Sequence, residues 1–71
     1  MNNKYSKKED VKIEDRIVFD NKTGFFRDML RIKMVGEVID INLEGNLISI
    51  SFKINGVDDP VIKNVPYFLC Q

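Results

Sequence analysis

The chain has 71 residues, 44% of them hydrophobic, with 11 Lys/Arg balanced by 11 Asp/Glu and no histidine or tryptophan. This length admits one domain with one small core, since a chain of this size buries only about 60% of the surface its unfolded form exposes. Zero net charge argues against a strongly basic, sequence-indifferent nucleic-acid binder, and a single cysteine excludes an internal disulfide. The charge is nevertheless uneven: residues 1–33 carry nine Lys/Arg and six Asp/Glu, and residues 34–71 carry two and five. The opening Met-Asn-Asn-Lys-Tyr-Ser-Lys-Lys lacks the apolar stretch of a signal peptide. No run approaches the roughly 20 apolar residues of a bilayer span. Together with the lone thiol, these features predict a cytoplasmic protein.

Residues 1–10 are polar and charged around one aromatic, Tyr5, and read as a flexible tail ahead of a domain over 11–71. Lys12–Arg16 reads as a turn leading into a first strand over 16–20, with Ile17 and Phe19 on one face and Val18 on the other. Asp20-Asn21-Lys22-Thr23-Gly24 is turn chemistry: side chains that bond local backbone, then a glycine free to take positive φ. Phe25–Lys33 fits two patterns. Phe26, Met29, Leu30 and Lys33 have helical spacing behind a Thr23 cap, whereas Leu30, Ile32 and Met34 alternate as in a strand. A long first loop with a single helical turn, running into the second strand, reconciles the two.

From Met34 the pattern sharpens. Val35–Ile41 is strand-like, Asn42–Asn46 turns the chain, and Leu47–Ile54 alternates with period two. Ile48, Ile50, Phe52 and Ile54 are expected to face inward and Ser49, Ser51 and Lys53 outward. Asn55–Pro60 is a loop, because Pro60 has no N–H for a ladder. Val61–Val65 is a fourth strand, and Pro66-Tyr67 bends the chain through a 3₁₀ turn into a last short strand at Tyr67–Cys70. Isoleucine recurs at nine positions, and β-branched side chains pack well on a pleated surface. The expected fold is all-β: a small five-stranded barrel, with an open twisted antiparallel sheet as the alternative.

Ile13-Glu14-Asp15-Arg16-Ile17-Val18-Phe19, Gly36-Glu37-Val38 and Asn46-Leu47-Ile48-Ser49-Ile50-Ser51-Phe52 resemble small SH3-like proteins of low-GC Gram-positive bacteria and their phages. The similarity is to the YkvS type and, more distantly, to KOW-type modules. It extends through Val61–Tyr67 and covers roughly residues 11–69. Two features depart from the family pattern: Asp15 stands where a glycine often precedes the first strand, and loop 21–33 carries unusual aromatics. The resemblance implies an SH3-like barrel encoded by a bacterium or prophage, and it supplies no activity.

The residue inventory predicts no enzyme, no cofactor and no metal. Without histidine there is no ready general base near neutral pH and no partner to activate Cys70. Asp58-Asp59 on a turn does not make a cation cage, and the four scattered glycines match no phosphate-binding fingerprint. One stretch invites a binding role. Lys22, Arg27, Arg31 and Lys33 stand against a single acid, Asp28, and are interleaved with Phe25 and Phe26. Such a loop contacts a protein partner, or holds RNA or DNA by charge while its rings stack on bases. The plainer account is that Phe25, Phe26, Met29 and Leu30 plug the barrel end while the basic residues keep the loop hydrated. Both accounts are compatible if one ring points in and its neighbour out. The functional expectation is a non-catalytic module, monomeric or weakly dimeric, that binds a protein partner, with nucleic acid as the alternative.

Overall fold

Alternation along the chain becomes a sheet with one buried face, because successive side chains of a strand point to opposite sides. The computed structural model describes residues 3–42 and 44–71. Strand β1 (Arg16–Asp20) buries Ile17 and Phe19, and β2 (Lys33–Ile41) buries Met34, Gly36 and Val38. Strand β3 (Leu47–Phe52) buries Ile48, Ile50 and Phe52, and β4 (Val61–Pro66) buries Val65. All neighbours are antiparallel in the order β1-β2-β3-β4. The register sets Phe19 opposite Met34, Val38 opposite Ile50 and Ile48 opposite Val65, so one apolar layer runs across the sheet. Each of its large side chains contributes about 1.5–3 kcal/mol by leaving water. Gly36 is required at its place: a Cβ there would sit 2.8 Å from Phe52 Cδ1 and would overlap the Ile50 side chain.

The expected fifth strand is replaced by a 3₁₀ turn at Tyr67–Leu69 and one antiparallel bridge between Cys70 and Phe19. Gln71 N–H donates to Val18 O (2.8 Å) and Val18 N–H donates to Gln71 O (2.9 Å), so the C-terminus covers the outer edge of β1. The sheet itself has four strands and is unclosed. The third strand stops at Phe52, two residues earlier than alternation suggested, although Ile54 still packs against the core. No α-helix occurs among the described residues, and accordingly none is long and apolar enough to cross a membrane.

The segment expected as a flexible tail is corrected from Lys4 onward. Tyr5 is 3% exposed within the core, Lys4 N–H donates to Cys70 O at 2.8 Å, and Lys8–Asp10 forms a 3₁₀ turn. Residues 1 and 2 of that tail, and Leu43 of the 42–46 turn, lie outside the described residues. The Tyr5 hydroxyl donates to Asp15 Oδ2 at 2.7 Å, and the same carboxylate accepts the Lys12 N–H at 3.0 Å. The tyrosine's hydrogen bond holds Asp15 below the usual carboxylate range. Burial, with Asp15 alongside, pushes the phenol above its ordinary value. Composition marked this segment as polar; a single large ring with a carboxylate for its hydroxyl is enough to anchor it.

Candidate functional site

The stretch singled out by composition is organised by a residue that composition did not single out. Asn21, at the end of β1, is fully buried. Its Nδ2 donates to Phe26 O (3.1 Å) and Leu30 O (2.9 Å), and its Oδ1 accepts the Phe26 N–H (2.9 Å). Its backbone N–H donates to Ile32 O, and its carbonyl accepts the Gly24 N–H. One residue, through its backbone and its side-chain amide, thereby fixes both ends of the 21–32 loop. This also explains why the expected helical turn is absent. The carbonyls of Phe26 and Leu30 bond the Asn21 amide, and the segment closes only a turn in which Met29 N–H reaches Phe26 O. A side chain that competes for backbone groups in this way breaks a helix.

The loop crosses the buried face of the sheet and divides its two phenylalanines. Phe26 is half-buried, with its ring centroid 5.3 Å from that of Phe19. Phe25 stands edge-on to Phe26 at 4.9 Å and remains 51% exposed. Met29 packs against the core, whereas Leu30 is 63% exposed. The plug reading therefore holds for Phe26 and Met29 and fails for Phe25 and Leu30. On β4, Lys63 fastens the far side: its Nζ donates to Asp28 Oδ2 at 2.6 Å and lies 5.6 Å from the Phe26 ring centroid. That hydrogen bond holds the Asp28 carboxyl below its usual range.

The six candidate residues do not form a single cluster. Arg31 lies back against the turn at Gly24, its guanidinium 3.1 Å from where a Cβ on that glycine would sit. Lys22 is exposed at the turn, its backbone N–H donating to Asp20 Oδ1. Arg27 is exposed on the loop's outer turn, next to the tethered Asp28. Lys33 opens β2 and turns towards a different feature. Among the described residues, no hydrogen bond or ion pair engages the side chains of Lys22, Arg27, Arg31 or Lys33.

That feature is a groove of about 320 Å³ where two strands part. The β2–β3 ladder ends at Gly36 opposite Phe52; Lys33–Val35 keep their partners in β1, while Lys53–Asn55 turn away. Leu30, Ile32, Lys33 and Val35 form one wall, and Lys53 and Ile54 the other. Ile32 and Val35 are about half exposed, so with Leu30 the wall is an apolar surface in water, flanked by two ammonium groups. A second, more polar groove lies beyond it, between Arg16, Glu37, Ser51 and Pro60. Sequence reasoning missed Lys53, Ile54 and Val35, because each looks ordinary in its own strand pattern. Lys63 carried a signal: it interrupts the apolar face that Val61 and Val65 define, and an inward charge needs a partner.

No set of three or more potential metal-ligating side chains gathers among the described residues, and Asp58 and Asp59 are exposed. Cys70 is completely buried, and burial pushes its thiol up to about 11, so the thiolate is scarce at neutral pH. Comparison with known proteins finds no match: no family model, no curated protein and no solved structure resembles the chain closely enough to count.

Proposed function

We propose that this chain is a non-catalytic interaction module built on an SH3-like barrel, and that it binds a protein partner in the groove between Leu30 and Ile54. The barrel reading is supported by the C-terminal residues that follow the 3₁₀ turn and lie along β1. It is supported too by loop 21–32, which spans from β1 to Lys63 on β4. The resemblance to SH3-like proteins of Gram-positive bacteria and phages remains part of this proposal. The observation that carries the binding role is the exposed wall of Leu30, Ile32 and Val35. Contiguous apolar side chains left in water mark interaction surfaces. Lys33 and Lys53 at its rim favour a partner segment that alternates aliphatic and acidic residues, since opposite charge steers and orients association.

Selection of a displayed random-peptide library against the full chain tests this reading. Enriched peptides should alternate acidic and aliphatic residues and shift the amide resonances of Leu30, Ile32, Val35 and Ile54. Leu30→Asp should weaken them by at least about tenfold, equivalent to roughly 1.4 kcal/mol, with thermal stability retained. The nucleic-acid alternative rests on Phe25, 51% exposed, and on Arg31, whose guanidinium lies against Gly24. Binding of a single-stranded oligonucleotide that falls steeply with salt and disappears in Arg27→Ala plus Arg31→Ala would replace the protein reading with that one.

A further inference from the structure

The sheet has two outer edges, and they differ. The edge of β1 is occupied by Cys70 and Gln71, themselves held by Lys4. The edge of β4 has no such cover. Tyr67 N–H donates to Asn46 O, and the register sets Val65, Lys63 and Val61 opposite Ile48, Ile50 and Phe52. In an antiparallel ladder this phase turns the odd-numbered backbone groups of β4 towards β3 and directs those of Ile62 and Asn64 outward. Among the described residues no backbone hydrogen bond reaches them from that side. Ile62 is also 58% exposed. Pro60 and Pro66, which lack an N–H, bracket the edge and confine donors to its middle.

We infer that this edge pairs with β4 of a second copy of the chain, antiparallel about a two-fold axis at Ile62. Side-chain chemistry selects the register. Centring on Lys63 would set two ammonium groups directly opposite, which is unfavourable across strands. Centring on Asn64 would leave both isoleucines opposite Pro66. Centring on Ile62 stacks the two isoleucines on the outer face and lets each exchange both backbone bonds with its mate. Asn64 N–H then donates to the partner copy's Pro60 carbonyl, and Lys63 faces the partner copy's Val61. Because β1 offers no second free edge, the pairing is isologous and closes at two chains. The strand is short, so the contact area is small and the dimer weak. This edge is separate from the groove, so either reading can fail without the other.

Sedimentation equilibrium of the full chain, from tens of micromolar to millimolar, tests the inference. The mass should rise from monomer to dimer and stop there, and the Ile62 and Asn64 amides should gain exchange protection as concentration rises. Asn64→Pro removes an outward donor, sparing the backbone bonds to β3 and losing only the exposed Ser49 Oγ bond to the Asn64 side chain, and Ile62→Lys opposes two charges. Each should weaken dimerisation at least about tenfold while the melting temperature of the monomer holds. A monomer at every concentration would overturn the inference. So would a dimer indifferent to both variants and to Ile62 protection, or growth beyond two chains.

Discussion

The two long loops of this molecule, 21–32 and 53–60, are of similar polarity yet are built differently. The first is pinned by Asn21 to its own carbonyls, lays Phe26 on Phe19 and is tethered to β4 through Asp28 and Lys63. The second has one backbone hydrogen bond, Val57 N–H to Ile54 O, and residues 55–60 are all exposed. Order in a loop thus follows from where its backbone groups find partners, and a buried amide supplies several at once. The contrast bears on function, because the first loop ends at one wall of the groove and the second, exposed and sparsely hydrogen-bonded, begins at the other. A site on a rigid support keeps its geometry.

The largest effect that can break this comparison is expected at Asn21. Asn21→Ala leaves two partly buried carbonyls and the Phe26 N–H without the partner they share, which should cost about 3 kcal/mol. In a domain this size that lowers the melting temperature by on the order of 15 °C, readable by calorimetry. A fall of only a few degrees would mean that the loop is held by Phe26 packing alone. A smaller effect is expected in the second loop at Gly56, whose φ is +85° and around which a Cβ would meet open space. Gly56→Ala should therefore cost about 1 kcal/mol from backbone strain alone, measured by denaturant unfolding. A cost matching that of Asn21→Ala would erase the distinction between the loops.

The smallest effect concerns the Asp28–Lys63 tether, which is mostly exposed on the Asp28 side. The folded Asp28 carboxyl titrates below its ordinary value of 3.8. Its contribution is therefore present above the unfolded pKa and is lost as pH falls through the lower folded value. Carboxyl resonances followed through an acid titration should place the Asp28 midpoint below 3.8 in the native chain. In Lys63→Met it should rise, because the hydrogen bond and charge of Lys63 are its main depressors. No change between the two would show that the first loop is not tied to β4 in solution.

Much of the sheet was legible because strand burial is a local pattern. The Ile48, Ile50, Phe52 alternation is inward as read, and Ile17 with Phe19 face inward together. The candidate loop was found from its basic and aromatic composition, but its internal arrangement was not. Helical spacing at Phe26, Met29 and Leu30 was real in the sequence and lost to an amide five to nine residues away. Leu30 was read as a plug residue by type and is left in water on the loop, and Val35, between buried Met34 and Gly36, lies on the outer face of β2.

The sequence by itself determined the four strands of the sheet and the buried face of β1 and β3, since these depend on neighbours one or two residues apart. Only the tertiary structure decided that Tyr5 joins the core, that Phe26 enters it and Phe25 does not, and that one sheet edge is covered while the other is free. Those outcomes depend on which gaps and unpaired backbone groups remain once the strands have met, and residues distant in the chain compete to fill them.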